Sequence, residues 1–159
     1  MKKLYIILLI GILTGSCENF RDDNGDLGGM WQLTGWMTRS SSGTIDSLVA
    51  NNIYGDAGVA NPRKIYYSVH NQVIQLQDAT QSRLDFYFCS FSHRNDSLIL
   101  KTVVDKADNL IADYADPNRS YLALKDFGVP GNGIFHIDVL NGDALVLSSP
   151  DDILTFRKY

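Results

Sequence analysis

Apolar and polar residues alternate with a period of two along most of the chain, in short runs separated by turn-forming residues. The clearest case lies near the end, where Ile134 to Leu140 and Ala144 to Leu147 flank Asn141-Gly142. A period of two places alternate side chains on opposite faces of a β-strand, and Asn-Gly between two such runs is the strongest short signal for a hairpin. These runs, with Ile153 to Lys158 after them, predict a three-stranded antiparallel meander.

Runs of the same kind recur earlier in the chain. The earlier predicted strands are Met30 to Thr38, Lys64 to Val69, Val73 to Gln77, Arg83 to Ser92 and Leu98 to Val104, with a short one near Ile45. The sequence contains 17 aspartates and one glutamate, and aspartate favours turns where glutamate favours helix interiors. About eight short strands predict an all-β domain, either a sandwich or an antiparallel up-and-down β-barrel. We favour the barrel because closure leaves no strand edge unpaired.

One segment departs from the strand pattern. Val104, Ala107, Leu110, Ile111 and Tyr114 fall at helical spacing, with Asp105 as a candidate N-cap and Pro117 beyond the end. We therefore allow at most one short helix, packed against the sheet.

The first seventeen residues have the layout of an export signal. Lys2 and Lys3 precede an apolar stretch from Leu4 to Leu13, which is too short to span a bilayer as a helix. Small residues then lead to Cys17, and this ending resembles the lipobox of bacterial lipoproteins, with Thr14 in place of the usual leucine. The resemblance implies that residues 1–16 are removed and that lipid, including palmitate, is attached to Cys17. The alternative is an ordinary signal peptide cut elsewhere.

The residues after Cys17 are acidic. Glu18, Asp22, Asp23 and Asp26 predict a flexible tether over residues 17–26, followed by the β-domain over residues 27–159. Loss of the two lysines of the signal leaves 12 basic and 18 acidic groups, a net charge of −6. This charge argues against nucleic acid as a partner. The acidic run resembles the surface-export signal of Bacteroidota lipoproteins, so we expect attachment to the cell envelope, at the outer membrane, on its surface or periplasmic face.

The first predicted strand opens with "GGMWQLTGW", in which Gly29-x-Trp31 resembles the lipocalin and calycin signature. The end segment, from "FGVPGNG" to "ILTFRKY", resembles that of lipocalin-like lipoproteins from Bacteroidota. The resemblance implies an eight-stranded barrel in which Trp31 closes one end and Arg157, from the last strand, packs across it. Alternatively, Trp31 is an ordinary core aromatic and Arg157 a surface charge.

The residues carry no convincing catalytic or metal-binding motif. His70, His93 and His136 do not lie at zinc-ligand spacing from one another or from a cysteine. Cys89 lies among aromatics in "FYFCSF", which predicts a buried, inert thiol. We therefore expect no enzyme activity, no metal and no cofactor.

Two functions remain open from the sequence. A lipocalin-like barrel implies binding of one small apolar ligand, and Tyr66, Phe86 and Phe88 are the candidate pocket-lining residues, unless they simply fill the core. The alternative is a filled barrel that acts as an accessory protein and contacts envelope proteins through Arg39 to Pro62 and "FGVPGNG".

A modification is also predicted from sequence. Asp46-Ser47-Leu48 and Asp96-Ser97-Leu98 resemble the three-residue O-glycosylation motif of Bacteroidota-type exported proteins. Ser47 and Ser97 are the candidate acceptors.

Overall fold

The computed structural model describes residues 24–39, 45–46, 64–79, 85–114, 116 and 122–159. Within them lie ten β-strands, all paired antiparallel in one sheet, and two short 3-10 helices. The strands are β1 (Gly29–Arg39), β2 (Ile45–Asp46), β3 (Ile65–His70), β4 (Val73–Asp78), β5 (Asp85–Arg94), β6 (Ser97–Asp105), β7 (Leu110–Asp113), β8 (Ile134–Leu140), β9 (Ala144–Ser148) and β10 (Asp152–Lys158). The first 3-10 helix is Gly25–Leu27 and the second is Leu122–Phe127.

Eight of the described strands close into a barrel. Each strand pairs with the next in the order β1, β3, β4, β5, β6, β8, β9, β10, and β10 returns to pair with β1. The short strands β2 and β7 extend the sheet beside β1 and β6. The predicted up-and-down barrel is thus confirmed.

A β-bulge in β1 explains why Trp36 breaks the alternation of that strand. The register with β10 shifts between Leu33 and Gly35, so that Leu33 faces Phe156 and Trp36 faces Leu154. One extra residue in β1 reverses the faces that follow it. Trp36 therefore points to the same side of the sheet as Trp31, which the spacing alone would not allow.

The segment predicted as a helix is instead a tight turn and a strand. Asp105 ends β6, and its carboxylate accepts hydrogen bonds from the backbone N–H groups of Ala107 and Asn109 (2.8 and 2.9 Å). The Asn109 side chain binds the same carboxylate, and these bonds lower the pKa of Asp105. The helical prediction over residues 104–116 was wrong because aspartate and asparagine stabilise turns through such bonds.

The barrel interior is filled by apolar side chains. Trp31, Tyr67, Phe135 and Phe156 are the largest of the fully buried residues, and no polar or charged residue is buried within the described ranges. Cys89 belongs to this core at 0% exposure, and burial raises its pKa from 9.0 to about 12. The thiol of Cys89 is therefore protonated and shielded, as expected for an inert cysteine.

Three of the predicted features lie outside the described residues, namely Cys17 with its signal, Ser47, and most of the interaction segment Arg39 to Pro62. The described part begins at Asn24, so Asp26, assigned to the tether from sequence, belongs to the first 3-10 helix. No helix within the described ranges is long and apolar enough to cross a membrane.

Candidate functional site

The two ends of the barrel differ in how they are built. The hairpins β3–β4, β5–β6 and β8–β9, the start of β1 and the end of β10 lie at one end, which we call the closed end. The end of β1, the β9–β10 turn and the β6–β7 turn lie at the other end, which we call the mouth. A candidate site at either end is therefore made from different segments of the chain.

Trp31 seals the closed end. Its side chain is fully buried, and its indole N–H donates a 2.8 Å hydrogen bond to the carbonyl of Leu27 in the first 3-10 helix. The Lys158 ammonium lies 4.8 Å from the centre of the indole ring and also donates to the Asp26 carbonyl (3.1 Å). Gly29 adopts a φ of +114°, and a Cβ there would lie 2.9 Å from Lys158 Cε, so this position requires glycine.

The predicted partner of Trp31 was wrong. Arg157 is exposed, and its guanidinium donates to Gln32 Oε1 from Nε and Nη2 (3.1 and 2.8 Å). Because side chains alternate along β10, Phe156 and Arg157 face opposite sides of the sheet, whereas Lys158 shares the inner face with Phe156. The cation over Trp31 is therefore Lys158.

The three aromatics proposed to line a pocket face away from the barrel interior. Tyr66 lies between the buried Ile65 and Tyr67, and its ring meets the exposed ring of Tyr159 edge-on at 5.7 Å. Phe86 and Phe88 contact each other at 5.4 Å on the outer face of β5. The assignment of faces was wrong, since buried Cys89 places the odd-numbered residues of β5 inward.

The mouth contains a plug that the sequence did not reveal. Phe127, at the end of the second 3-10 helix, is 3% exposed and packs edge-on against Tyr87 at 5.5 Å. Its carbonyl accepts a 2.7 Å hydrogen bond from the hydroxyl of buried Tyr67. Gly128 follows with a φ of +80°, and a Cβ there would lie 2.8 Å from Leu154. The segment "FGVPGNG", predicted to supply an interaction surface, thus begins with buried residues.

A cavity of about 470 Å³ lies at the mouth, beside this plug. Trp36, Val129 and Pro130 form its apolar part. The lining residues are Trp36, Thr38, Arg39, Lys125, Val129, Pro130, Gly131, Asp151 and Asp152. The volume falls within the range of about 300–1,000 Å³ that small-molecule sites occupy. The cavity is therefore large enough for a small ligand, but it lies above the filled interior rather than within it.

Hydrogen bonds hold one wall of this cavity in place. The Trp36 indole N–H and the Thr38 hydroxyl both donate to Asp152 Oδ1, each at 2.8 Å. These two donors stabilise the carboxylate of Asp152 and fix the plane of the indole. Arg39 and Lys125 are exposed, and neither forms an ion pair with a residue that the structure describes. The cavity thus combines an aromatic wall held by hydrogen bonds with two exposed cations, beside the carboxylates of Asp151 and Asp152.

Sequence reasoning missed this cavity because its residues come from three distant segments. A partial signal was present, since Trp36 breaks the alternation of β1 and thereby marks a change of face. Two smaller cavities, of about 230 and 170 Å³, lie elsewhere on the surface. Within the described ranges, no three His, Cys, Asp or Glu residues come together as metal ligands. Ser97 lies at the start of β6, directly after the β5–β6 turn, and its glycosylation stays a prediction.

Comparison with known proteins places the fold in a family. A family model described as a lipocalin-like domain matches residues 11–159. A lipocalin-like protein from Bacteroides uniformis has 20% identity and a TM-score of 0.51, over 85% of this chain and 100% of that one. An uncharacterized protein from Bacteroides eggerthii has 16% identity and a TM-score of 0.51, over 83% and 98%. No curated protein matches the chain. The two solved structures support the barrel fold, and the match of the family model shows that this chain belongs to the lipocalin-like domain family.

Proposed function

We propose that this protein is a lipid-anchored envelope lipoprotein whose lipocalin-like domain binds a small amphipathic ligand with an acidic group at the barrel mouth. The observation that carries the proposal is the cavity of about 470 Å³ in which Trp36 lies near two cations without ion-pair partners in the described residues. The role is one of binding and not of catalysis.

The filled interior argues that a ligand binds at the mouth and not at the centre of the barrel. The described inner face is occupied by Trp31, Tyr67, Phe135, Phe156 and smaller apolar residues. Phe127 and Gly128 close the route from the mouth to this core. A ligand placed at the centre would have to displace close-packed side chains, which costs several kcal/mol. The mouth cavity requires no such displacement.

The chemistry of the cavity indicates the class of ligand. Trp36, Val129 and Pro130 offer an apolar and aromatic surface to the body of a ligand. Arg39 and Lys125 offer positive charge to an acidic group of the ligand. Of the two carboxylates that also line the cavity, that of Asp152 accepts hydrogen bonds from Trp36 and Thr38, and that of Asp151 is exposed to solvent. A ligand with a carboxylate attached to a short apolar chain matches both features of the cavity, its apolar surface and its cations. This refines the apolar ligand expected from the sequence by adding an acidic group.

Support for the anchor comes from the sequence. Lys2 and Lys3, the apolar stretch from Leu4 to Leu13 and the small residues before Cys17 together resemble a lipoprotein signal. Several acyl chains on one cysteine hold a protein stably on a membrane, because each buried methylene contributes about 0.8 kcal/mol. The intact mass of the protein extracted from bacterial membranes tests this part, and an unmodified Cys17 thiol would refute it.

Decanoate, with decanol as an uncharged control of the same chain length, tests ligand binding. At ten times its dissociation constant, decanoate should stabilise the domain by about 1.4 kcal/mol and raise Tm by about 4 °C in a thermal-shift assay. Decanol should bind about three- to tenfold more weakly, since each exposed cation contributes about 0.2–1 kcal/mol.

Variants show whether the two cations act as proposed. Arg39→Gln combined with Lys125→Gln should reduce decanoate affinity to that of decanol. The matched control is Arg94→Gln, which removes an exposed cation at the closed end and should leave the affinity unchanged. If decanoate stabilised the parent protein, the double variant and the Arg94 variant equally, binding at the mouth would be contradicted.

A second candidate function is that of an accessory protein which contacts envelope proteins. The filled interior favours it, as do the outward-facing rings of Tyr66, Phe86 and Phe88. Crosslinking in intact cells from a residue on the outer face of β5 would distinguish the two. A specific protein adduct together with no response to decanoate would favour the accessory role.

A further inference from the structure

We propose that the outer surface at the closed end rests on the lipid bilayer, so that the mouth is held away from the membrane. The inference rests on the lipid anchor proposed above. The surface concerned consists of Met30, Val73 and Tyr159, which we call the closed-end patch.

The closed end carries more of the exposed large hydrophobic side chains than the mouth does. Met30 is 40% exposed, Val73 36% and Tyr159 76%. Six large hydrophobic side chains are exposed within the described ranges, and four of them lie toward the closed end. Those four are Met30, Val73, Val139 and Tyr159. Leu110 lies toward the mouth, and Ile134 pairs with Ile99 in the middle part of the barrel.

The members of the patch lie on one face of the sheet. The backbone N–H of Tyr159 donates to the Met30 carbonyl at 2.9 Å, so these residues are neighbours. Met30 pairs with Ser68 on β3, and Val73 pairs with His70, two residues further along the same strand. Going from β1 across β3 to β4 covers two strand spacings of about 5 Å each, and going from Ser68 to His70 covers two residues of about 3.4 Å each. Val73 therefore lies about 12 Å from Met30. The patch is therefore continuous enough to meet one flat surface.

The chain leading to the anchor reaches the domain at this end. Asn24 directly precedes the first 3-10 helix, which packs against the closed end through Trp31 and Lys158. Six residues lie between Cys17 and Asn24. The seven Cα–Cα steps from one to the other can span at most about 25 Å, and a flexible chain of this length spans about 15 Å on average. β1 is eleven residues long, about 33 Å along the strand, and a strand tilt of about 35–45° sets the closed end and the mouth about 25 Å apart along the barrel axis. The closed end is thus the end held next to the bilayer.

The chemistry of the patch suits a lipid surface. A tyrosine side chain has an apolar ring and a polar hydroxyl, and it is favoured at the boundary between headgroups and acyl chains. Met30 and Val73 add apolar area beside it. Three side chains do not hold a domain on a membrane alone, but an anchor keeps the patch at high local concentration, where a weak preference is enough to set the orientation.

The test compares two positions of similar exposure at opposite ends, Val73 at 36% and Leu110 at 42%. Val73→Cys and Leu110→Cys are each introduced into the full chain, labelled with the fluorophore NBD, and reconstituted into phosphatidylcholine vesicles that contain doxyl-labelled lipid. Buried Cys89 should not react with the label, and lipidated Cys17 has no free thiol. We expect doxyl lipid to quench the label at Val73 at least threefold more than the label at Leu110.

The remaining outcomes separate the orientation from the anchor. Replacing Met30 and Tyr159 with serine should abolish the difference between the two positions, while the protein still floats with the vesicles. Equal quenching at both positions in a protein that floats would overturn the orientation and leave the anchor standing. Failure to float would refute the anchor itself. If the label at Val73 is shielded from iodide before lipid is added, and the protein has twice its expected mass, a second copy covers the patch and the proposal is wrong.

Discussion

Replacing Trp31 with alanine is expected to lower the free energy of unfolding by about 3–5 kcal/mol, as measured by urea denaturation. The side chain is the largest in the core and is fully buried. Its loss leaves a cavity at the closed end, removes the hydrogen bond to the Leu27 carbonyl, and removes the surface on which Lys158 lies.

Double-mutant cycles identify the partner of Trp31. Trp31→Ala and Lys158→Ala should be coupled by about 0.5–2 kcal/mol, which is the range of a cation–π contact. Trp31→Ala and Arg157→Ala should be additive within about 0.5 kcal/mol, because Arg157 binds Gln32 on the outer face. Coupling to Arg157 with none to Lys158 would contradict the structure of this end.

Replacing Phe127 with alanine is expected to lower the free energy of unfolding by about 3–5 kcal/mol. Phe127 plugs the mouth and packs edge-on against Tyr87, so its truncation leaves an apolar cavity beneath the mouth. Such cavities stay dry and take up small apolar molecules. The variant should therefore be stabilised by benzene, whereas the parent protein should not, and urea denaturation measures both effects.

The control for this variant is the neighbouring residue. Asp126→Ala changes an exposed side chain in the same 3-10 helix and should shift stability by no more than about 0.5 kcal/mol. If benzene stabilised the parent protein and the Phe127 variant equally, the interior would already contain an accessible cavity. That outcome would contradict the filled barrel.

The strands were predictable because their signals are local. The predicted strand Ile134 to Leu140 matches β8, and the turn at Asn141-Gly142 connects it to β9 as expected. At the β3–β4 turn, Asn71 and Gln72 both have positive φ, 46° and 62°. Of these two only asparagine is common in that conformation, and the hairpin was identified from the flanking runs.

The direction in which each side chain points, and the residue it contacts, were harder to predict than the positions of the strands. A period of two separates the faces of a strand but does not say which face is inward, and this is why Phe86 and Phe88 were assigned to the interior. The same period sets Arg157 apart from Phe156, yet the family resemblance implied Arg157 as the partner of Trp31, and Lys158 was not considered. Bulges add a further difficulty. The extra residue in β1 turns the side chain of Trp36 to the opposite face of the sheet, and no residue type in the strand signals this.

The mouth was not predictable because its parts are distant in sequence. The β1 residue Trp36, the 3-10 helix residue Lys125 and Asp152 of β10 meet only after the barrel closes. The hydrogen bond from Trp36 to Asp152 spans 116 residues, and no local pattern encodes it. Non-local contacts of this kind depend on the topology, which the sequence patterns indicate only as a fold class.

The indole N–H signals of the two tryptophans test the mouth site most directly. Trp36 lines the mouth cavity, whereas Trp31 is sealed at the closed end, so each reports on a different part of the barrel. In a ¹H–¹⁵N correlation spectrum recorded during titration with decanoate, the Trp36 signal should shift progressively and the Trp31 signal should stay in place. A shift of Trp31 together with core residues such as Leu76, or no shift at Trp36, would contradict binding at the mouth.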